Sequence, residues 1–330
     1  MTHSMRRMLG FTVGGVFLFL FFLAPLYGYL MESFWPETPL LNAIPAQTIT
    51  LSDLPVRSVI SPDGDYVIVY DDSTLVVYNT ISWRIETKMN MDSGLRRVCY
   101  GADGHHIALE TSAGREIWDT KTWEVLYKEE NADSLSIVLP SSQGFAKAKT
   151  QVEGDDWALI VQSWPYRQQF AKLNAPEERP LWTMDITPHL IAMYHHDQKK
   201  ITITEIKTGR IVDTLLAKRP DKIKLSPNGR YLAQIYNGAV RVYDRWSNEE
   251  KYYGQRIIFG EPAGIFSADS NYVLIAGNGN VKMIELATGE VRLDLATRFH
   301  MVRSLELSKD NKLLTITDAD ERSVTVYRIG

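Results

Sequence analysis

The chain has 330 residues, of which 45% are hydrophobic and 23% are charged, as in ordinary globular proteins. Its formal net charge of −4 argues against generic nucleic-acid binding, because no basic excess is available to neutralise phosphates. Cys99 is the sole cysteine, so an internal disulfide and a cysteine-based zinc site are both excluded. Its apolar neighbours favour a small core residue at this position.

The N-terminal part of the chain contains a run of 22 residues without a charge, over residues 9–30. A helix needs roughly 20 apolar residues to cross the hydrocarbon core of a bilayer, so this run predicts a transmembrane helix. A cleaved signal peptide is the competing interpretation, but its apolar region is about 7–15 residues long, and no small-x-small cleavage site follows. We therefore expect an uncleaved anchor.

Charged residues on either side of the run set the expected orientation. Arg6 and Arg7 precede it, whereas Glu32 and Glu37 follow it. The positive-inside rule then keeps residues 1–8 in the cytoplasm as a short N-terminus and moves the rest across the membrane. None of the asparagines heads a glycosylation sequon. We expect a single-pass protein of a bacterial inner membrane, with its globular part in the periplasm.

Residues 31–46 contain Pro36, Pro39 and Pro45 and show no strand periodicity. Proline restricts itself and its predecessor to extended conformations, so the segment predicts a stiff spacer. A spacer of this kind holds the globular part close to the bilayer rather than letting it range freely.

A turn followed by strands recurs seven times in the remaining sequence. Successive turns lie 39 to 46 residues apart. They begin at Ser61, Gly101, Ser141, Thr187, Ser226, Ser267 and Ser308. A period of this size, built from short strands and tight turns, is typical of a propeller blade. We therefore predict an all-β fold, a seven-bladed β-propeller of four-stranded blades over residues 47–330.

The fifth repeat shows the expected blade most clearly. Residues 222–226 form the predicted inner strand, residues 231–236 and 239–244 flank an Asn237-Gly238 hairpin turn, and residues 249–254 form a polar outer strand. The seventh repeat lacks an outer strand of its own, because its third strand is the last of the sequence. We expect residues 47–51, which alternate as an edge strand does, to complete that blade and close the ring.

The third repeat departs most from the pattern, and its extra length indicates a candidate partner-binding site. Trp164, Tyr166 and Arg167 lie in the turn after its third strand, and these residue types are enriched at interface hot spots. The alternative is a tryptophan folded against its own blade. Three tryptophans in corresponding places of other repeats favour this alternative: Trp83, Trp123 and Trp246.

Several of these motifs resemble those of the WD-repeat and YVTN-type β-propeller superfamily, over about residues 48–330. They are Ser-Pro-Asp-Gly at residues 61–64, Ser-Pro-Asn-Gly at 226–229, Thr-Gly at 208–209 and 288–289, and Trp-Asp at 118–119. Most repeats lack the Gly-His and Trp-Asp pair of well-formed WD repeats, so the resemblance is to a divergent member. It implies a rigid platform for binding proteins and leaves the partner open.

Motifs for catalysis are missing from the sequence. It contains no Gly-x-Ser-x-Gly elbow, no Gly-Lys-Ser/Thr phosphate loop and no His-Glu-x-x-His pair. Histidine pairs at residues 105–106 and 195–196 suggest a metal or haem, but neighbours on a strand point to opposite faces and would seldom share an ion. Acidic groups at 63–65, 71–72 and 318–321 lack the spacing of a calcium loop, so we interpret them as solvated turns. We expect no catalytic, metal or cofactor residue.

The expected function is that of a membrane-anchored, non-catalytic scaffold or assembly subunit of a membrane protein complex. Gly10, Gly14 and Gly15 form a small-xxx-small pattern and are candidate contacts for a partner helix. The expected partners are other subunits, bound by the anchor and by a propeller face, together with membrane lipid. A periplasmic ligand-binding or sensor propeller is the alternative. A propeller oxidoreductase with a quinone or haem cofactor is a third class.

Overall fold

Seven four-stranded antiparallel sheets make up the described part of the chain. The structure is a computed structural model. It describes residues 40–51, 56–92, 94–101, 103–130, 136–141, 144–153, 156–166, 169–175, 184–187, 189–236, 239–254, 263–277, 279–297, 302–318 and 322–330. The chain divides into two units after Leu40, and the sheets belong to the second unit, Leu41–Gly330. This unit is a seven-bladed β-propeller.

The strands of each blade are numbered here in chain order and called A to D from the axis outward. Blades one to three comprise β2 (Arg57–Ile60), β3 (Tyr66–Tyr70), β4 (Thr74–Asn79) and β5 (Ile85–Asn90); β6 (Leu95–Tyr100), β7 (His106–Thr111), β8 (Gly114–Asp119) and β9 (Val125–Glu130); β10 (Ser136–Ser141), β11 (Gly144–Glu153), β12 (Asp156–Trp164) and β13 (Gln169–Ala175). Blades four and five comprise β14 (Met184–Ile186), β15 (Leu190–His195), β16 (Lys200–Glu205) and β17 (Ile211–Leu216); β18 (Lys222–Leu225), β19 (Tyr231–Tyr236), β20 (Ala239–Asp244) and β21 (Glu249–Gly254). Blade six comprises β22 (Ala263–Phe266), β23 (Tyr272–Gly277), β24 (Asn280–Glu285) and β25 (Val291–Ala296), and blade seven comprises β26 (Val302–Leu307), β27 (Leu313–Asp318), β28 (Ser323–Ile329) and β1 (Ala43–Thr50).

The A strands of neighbouring blades contact one another and form the inner ring. These contacts join β2 to β6, β6 to β10, β14 to β18, β18 to β22, β22 to β26 and β26 back to β2. The strands of the fifth blade start and end within a residue of their predicted limits. The regular repeat therefore predicts both the number of blades and the order of strands within them.

The hydrophobic core consists of seven clusters, one between each pair of adjacent blades. On β3, Val67 and Val69 face blade seven, whereas Ile68 and Tyr70 face blade two. Successive side chains of a strand point to opposite faces, so a sheet covered on both sides needs an unbroken apolar run. This explains the unbroken apolar runs in B strands such as Tyr66–Tyr70 and Tyr272–Gly277.

The turn between strands A and B repeats one hydrogen-bonding device. In four blades a serine hydroxyl donates to an Asp or Asn side chain two residues on, at 2.5–2.8 Å, and accepts the backbone N–H five residues on, at 2.8–2.9 Å. The serines are Ser61, Ser226, Ser267 and Ser308. The fourth turn residue is left-handed, at Gly64 (φ 80°) and Gly229 (φ 72°) for example, which glycine adopts without steric cost. The repeated motif is therefore structural.

Strand β1 closes the ring as the outer strand of blade seven. It pairs antiparallel with β28, and Ile49 enters the core between blades seven and one beside Val324 and Val326. The strand runs over Ala43–Thr50, four residues further towards the N-terminus than the predicted residues 47–51. It includes Pro45, which the sequence assigned to the spacer. Proline is tolerated here because β1 is an edge strand with a bulge between Pro45 and Gln47.

The predicted membrane anchor lies outside the described residues, as do residues 1–8, the spacer up to residue 39, and the glycines at positions 10, 14 and 15. Within the ranges given above, no helix has both the length and the apolar character needed to cross a bilayer.

Replacing Ile49 by Ala in the full chain should lower the free energy of unfolding by about 2–5 kcal/mol, because a buried isoleucine leaves a cavity between two blades. Ile49 is 4% exposed, whereas Ile44 on the same strand is 66% exposed and provides the matched control. Ile44→Ala should change stability by no more than about 0.5 kcal/mol. Urea denaturation followed by tryptophan fluorescence measures both. Equal losses in the two variants would show that β1 does not hold the ring.

Candidate functional site

Exposed apolar side chains gather on one end of the propeller, here called the turn face. The A–B and C–D turns share this end, since Thr80 in the first C–D turn donates its backbone N–H and its hydroxyl to Asp65 O and Gly64 O of the A–B turn, at 2.9 and 2.7 Å. Six blades carry an exposed large apolar side chain in the C–D turn or at the start of strand D. These side chains, here called the apolar rim, are Ile44, Ile81, Ile85, Val125, Leu126, Tyr166, Ile211, Val212 and Trp246.

Trp246 is the aromatic side chain of the apolar rim that contacts an arginine. It is 72% exposed, and the Arg230 guanidinium lies 5.0 Å from its ring centroid. Arg230 also lies over the Tyr231 ring and donates to the buried carboxylate of Asp244, at 2.6 Å. The Arg230 hydrogen bond holds the pKa of Asp244 below its usual range. A fixed, exposed tryptophan beside an arginine has the composition of an interface hot spot.

Trp164, predicted as a partner contact, lies inside the molecule. It is 2% exposed, packs edge-on against Tyr127 and Phe145, and donates its indole N–H to Glu129 at 3.2 Å. As packed, it therefore presents no surface to a partner, and it contacts blade two as well as its own blade. Tyr166, two residues on, is 85% exposed and belongs to the apolar rim. Arg167 lies outside the described residues.

The predicted equivalence of Trp83, Trp123 and Trp246 is wrong for Trp246. Trp83 and Trp123 occupy the left-handed position of the C–D turn, with φ of 55° and 58°, the position held by Gly209 and Gly289 in other blades. In blade five Asn248 takes this position, so Trp246 precedes it by two residues. Trp83 and Trp123 pack on core clusters, whereas Trp246 is free to face solvent.

A buried ionic cluster joins blades two and three beside Trp164. The Lys147 ammonium donates to Glu129 at 2.8 Å, and Arg115 donates to Glu110 at 3.2 Å and lies 3.8 Å from Glu129. Glu110 also accepts the backbone N–H of Val138, at 3.0 Å. Two carboxylates and two cations balance within this interface, where the apolar cluster has five buried members. Such a cluster specifies one packing arrangement more than it adds stability.

The inner ring carries a second group of functional side chains, two residues before each A–B turn. On β2, β6 and β18 the flanking positions are buried, for example Ser58 and Ile60 on β2, whereas the intervening residue retains exposure. These residues, here called the axial ring, are Val59, Cys99, Asp185, Lys224, Ile265 and Glu306. The side chain of Leu139, the equivalent in blade three, lies outside the described set.

Charged groups of the axial ring act on one another across the axis. Lys224 in blade five pairs with Asp185 in blade four at 3.1 Å. Burial raises the pKa of Glu306 in blade seven to about 7, and the charges of Lys224 and of Arg97 in blade two oppose this rise. Blades two and five do not adjoin blade seven, so the charges of Lys224 and Arg97 act on Glu306 from across the central channel. Glu306 therefore changes charge near neutral pH.

Cys99 is the thiol of the axial ring. It packs against the edge of the cluster between blades two and three and remains partly exposed. Burial raises the pKa of the Cys99 thiol to about 11, an effect that Arg97 reduces. At neutral pH the thiol is therefore protonated and a poor nucleophile.

One histidine of each pair lies within hydrogen-bond distance of a protein group. The Nδ1 atom of His106 lies 2.7 Å from Asp103, and the Nε2 atom of His195 lies 2.7 Å from the Thr202 hydroxyl. Burial lowers the pKa of His195. His106 opens strand B of its blade, as Tyr66 and Tyr231 do. Among the described residues, no group of three or more His, Cys, Asp or Glu side chains lies close enough to hold a metal ion.

A sequence pattern marks both the apolar rim and the axial ring, although the spacing of the repeats alone does not identify them. Strand D begins with two apolar residues in blades two and four, where a solvent-facing strand would be polar: Val125, Leu126, Ile211 and Val212. Aligning the seven turns also puts Asp185, Lys224 and Glu306 at one shared position. The sequence does not show that the apolar residues share the turn face, or that the charged residues point to the propeller axis; the structure shows both.

No protein-family model matches this chain, and no curated protein matches its sequence significantly. The fold and the geometry of its surfaces therefore carry the functional argument.

Replacing Lys147 by Met should lower the free energy of unfolding by about 3–5 kcal/mol, because it removes one partner of a buried ion pair and leaves the Glu129 charge under-compensated. Lys128→Met is the control, since Lys128 is exposed and lies 3.4 Å from Glu116 in the same blade. An exposed pair contributes about 0–1 kcal/mol. Urea denaturation of the full chain compares the two. Similar small losses in both would mean that the buried cluster carries no net interaction.

Proposed function

We propose that the protein is a membrane-anchored, non-catalytic β-propeller that serves as a docking subunit of a membrane protein complex. The observation that carries this proposal is the apolar rim, which runs through six of the seven blades on a single end of the propeller. Exposed apolar side chains on a monomer are usually scattered, and their concentration on one end indicates a surface that a partner covers.

The partner we favour is an integral membrane protein. The chain joins the propeller on the turn face, where Leu41 donates its backbone N–H to Arg292 O at 2.6 Å just before β1 begins. The 22-residue uncharged run ends ten residues before Leu40, a span that extends at most about 35 Å. A tether of this length keeps the propeller near the membrane that would hold the anchor, so a protein of the same membrane is the class of partner most readily reached.

Three finer elements belong to this proposal. We infer that residues 9–30 form the anchor, that the propeller lies in the periplasm of a bacterium, and that the blades are divergent relatives of WD or YVTN repeats. The supports are the charge asymmetry around the uncharged run and the Ser-Pro-Asp-Gly type turns, whose hydrogen bonds repeat from blade to blade. An oxidoreductase would need clustered cofactor ligands near the axis.

A ligand-binding or sensor propeller is the second candidate. The observation in its favour is the axial ring, which places opposite charges and a carboxyl that titrates near neutrality in the central channel. The two candidates use different parts of the molecule and do not exclude each other.

The apolar rim is tested by a double substitution in the full chain, Ile81→Asp with Leu126→Asp. Both side chains are exposed, so the melting temperature should stay within about 3 °C. A photocrosslinker placed at Tyr166 should capture an integral membrane protein from native membranes. We expect the double variant to give at least tenfold less of this crosslinked product. Leu216→Asp is the matched control, because Leu216 is 87% exposed at the opposite end of a D strand.

The proposal is supported if the captured protein remains in the membrane after carbonate extraction and if its capture falls in the double variant. Crosslinks to lipid alone would assign the rim to the bilayer surface and overturn the docking role. Equal capture by the double variant, or loss of capture by Leu216→Asp, would show that the rim does not select the partner.

The anchor glycines give a separate test of partner binding within the membrane. Gly10→Leu with Gly14→Leu blocks the close approach of a second helix, because leucine side chains hold the two backbones apart. We expect weaker co-purification in mild detergent and an unchanged melting temperature of the propeller. Ala substitutions at both positions are the control, since alanine still permits close packing. Unchanged co-purification in the leucine variant would leave the propeller face as the sole contact.

A further inference from the structure

We propose that the central channel binds a small dianion, carrying carboxylate or phosphate groups, between Arg97, Lys224 and Glu306. The three side chains come from blades two, five and seven, which are not adjacent, so the seat exists only in the closed ring. This site is separate from the apolar rim and does not depend on the docking role.

The cations of the channel are incompletely balanced by acidic groups. Lys224 pairs with Asp185, and Leu225 donates its backbone N–H to the second Asp185 oxygen at 2.8 Å, so this carboxylate is fully used. Among the described side chains, no carboxylate lies within 4 Å of the Arg97 guanidinium. Guanidinium groups bind carboxylates and phosphates through two parallel hydrogen bonds, which makes Arg97 the anchoring group for the dianion.

Other polar groups near Glu306 also lack partners. The Glu306 carboxyl forms no hydrogen bond or ion pair with any described residue, although the charges of Lys224 and Arg97 both act on it. Ser304, two residues earlier on β26, has a buried hydroxyl without a partner in the described part of the chain. Buried polar groups in native proteins are nearly always satisfied, so the Ser304 hydroxyl, on the same strand as the unpaired Glu306 carboxyl, points to a polar occupant of the channel.

The walls of the channel strengthen any charge interaction inside it. Val59 and Ile265 contribute apolar side chains to the axial ring, and the Cys99 thiol is neutral at physiological pH. Charges beside apolar side chains interact more strongly than at an open surface, because less water screens them. The protein as a whole carries a net charge of −4, so attraction of an anion is local to the channel.

Binding should depend on pH through Glu306. Its pKa of about 7 means that it is largely neutral below pH 7, when it donates a hydrogen bond, and largely anionic above, when it repels the ligand. The other charged or titratable groups around it are Arg57 on β2, Tyr70 on β3, Arg97 and Cys99 on β6, and Lys224 with its partner Asp185. Strand β22 and the described side chains of β27 carry no titratable group.

Calorimetric titration of the full chain in detergent, with succinate and with sulfate, tests the proposal. Both probes keep their double charge between pH 6.5 and pH 8.0, so a change in affinity reports the protein. We expect the dissociation constant to be about eightfold lower at pH 6.5 than at pH 8.0. This is the ratio of the protonated fractions at the two pH values for a group with a pKa of about 7. Tighter succinate binding would indicate a carboxylate ligand, and tighter sulfate binding a phosphate ligand.

Variants assign the binding to named residues. Lys224→Met and Arg97→Met should each weaken binding at least tenfold, Lys224→Arg should restore it within about threefold, and Glu306→Gln should remove the pH dependence. Lys282→Met is the control, since Lys282 lies on the outside of blade six, 3.5 Å from Asp294, with an exposure close to that of Lys224.

The single cysteine locates the bound anion. Alkylation of Cys99 by neutral iodoacetamide at pH 9 should slow when the channel is filled, because the anion blocks access and disfavours the thiolate. Absence of binding by both probes overturns the proposal. Binding that Lys224→Met and Arg97→Met leave unchanged, or that does not slow Cys99 alkylation, places the anion elsewhere and overturns it as well.

Discussion

The pairing of β1 with β28 holds the ring closed, and the other features of the molecule depend on it. It is the single strand pairing in the described chain that joins distant parts of the sequence, since all the others link consecutive strands. Without it blade seven would have three strands and an open edge, and the core around Ile49 would be exposed. Arg328 reinforces the closure by donating to Thr80 O in blade one, at 3.1 Å.

Two kinds of position can vary between blades without changing the fold: the residue of strand A that faces the axis, and the first residues of strand D. The serine hydroxyls of four blades and the left-handed residues of the turns form part of the turn structure itself. The residue facing the axis and the first residues of strand D form no such turn contacts. Charged residues hold three of the six described axial-ring positions, and apolar residues begin strand D in several blades, which gives this propeller a partly charged channel and an apolar rim.

The sequence predicts the strands well, because hydrophobic alternation and turn chemistry are local and repeat seven times. It is less successful for the tryptophans. The sequence offers Trp164 as a candidate partner contact and favours a folded-back tryptophan as the alternative; Trp164 is buried, and Glu129, 35 positions away, accepts its indole N–H. Trp246 is expected to fold back as well, yet it is exposed beside Arg230. Both outcomes depend on partners contributed by other strands. The pairing of Asp185 with Lys224 across two blades is non-local in the same way.

The position of β1 in blade seven also bears on biosynthesis. The ribosome makes β1 first and β28 last, and at about 5–20 residues per second the interval between them is roughly 14–55 s. During that time Ile49 has no cluster to enter, while the inner strands of the intervening blades can already stack one on another. The ring therefore cannot close before β28 has been made, because β1 has no strand to pair with until then.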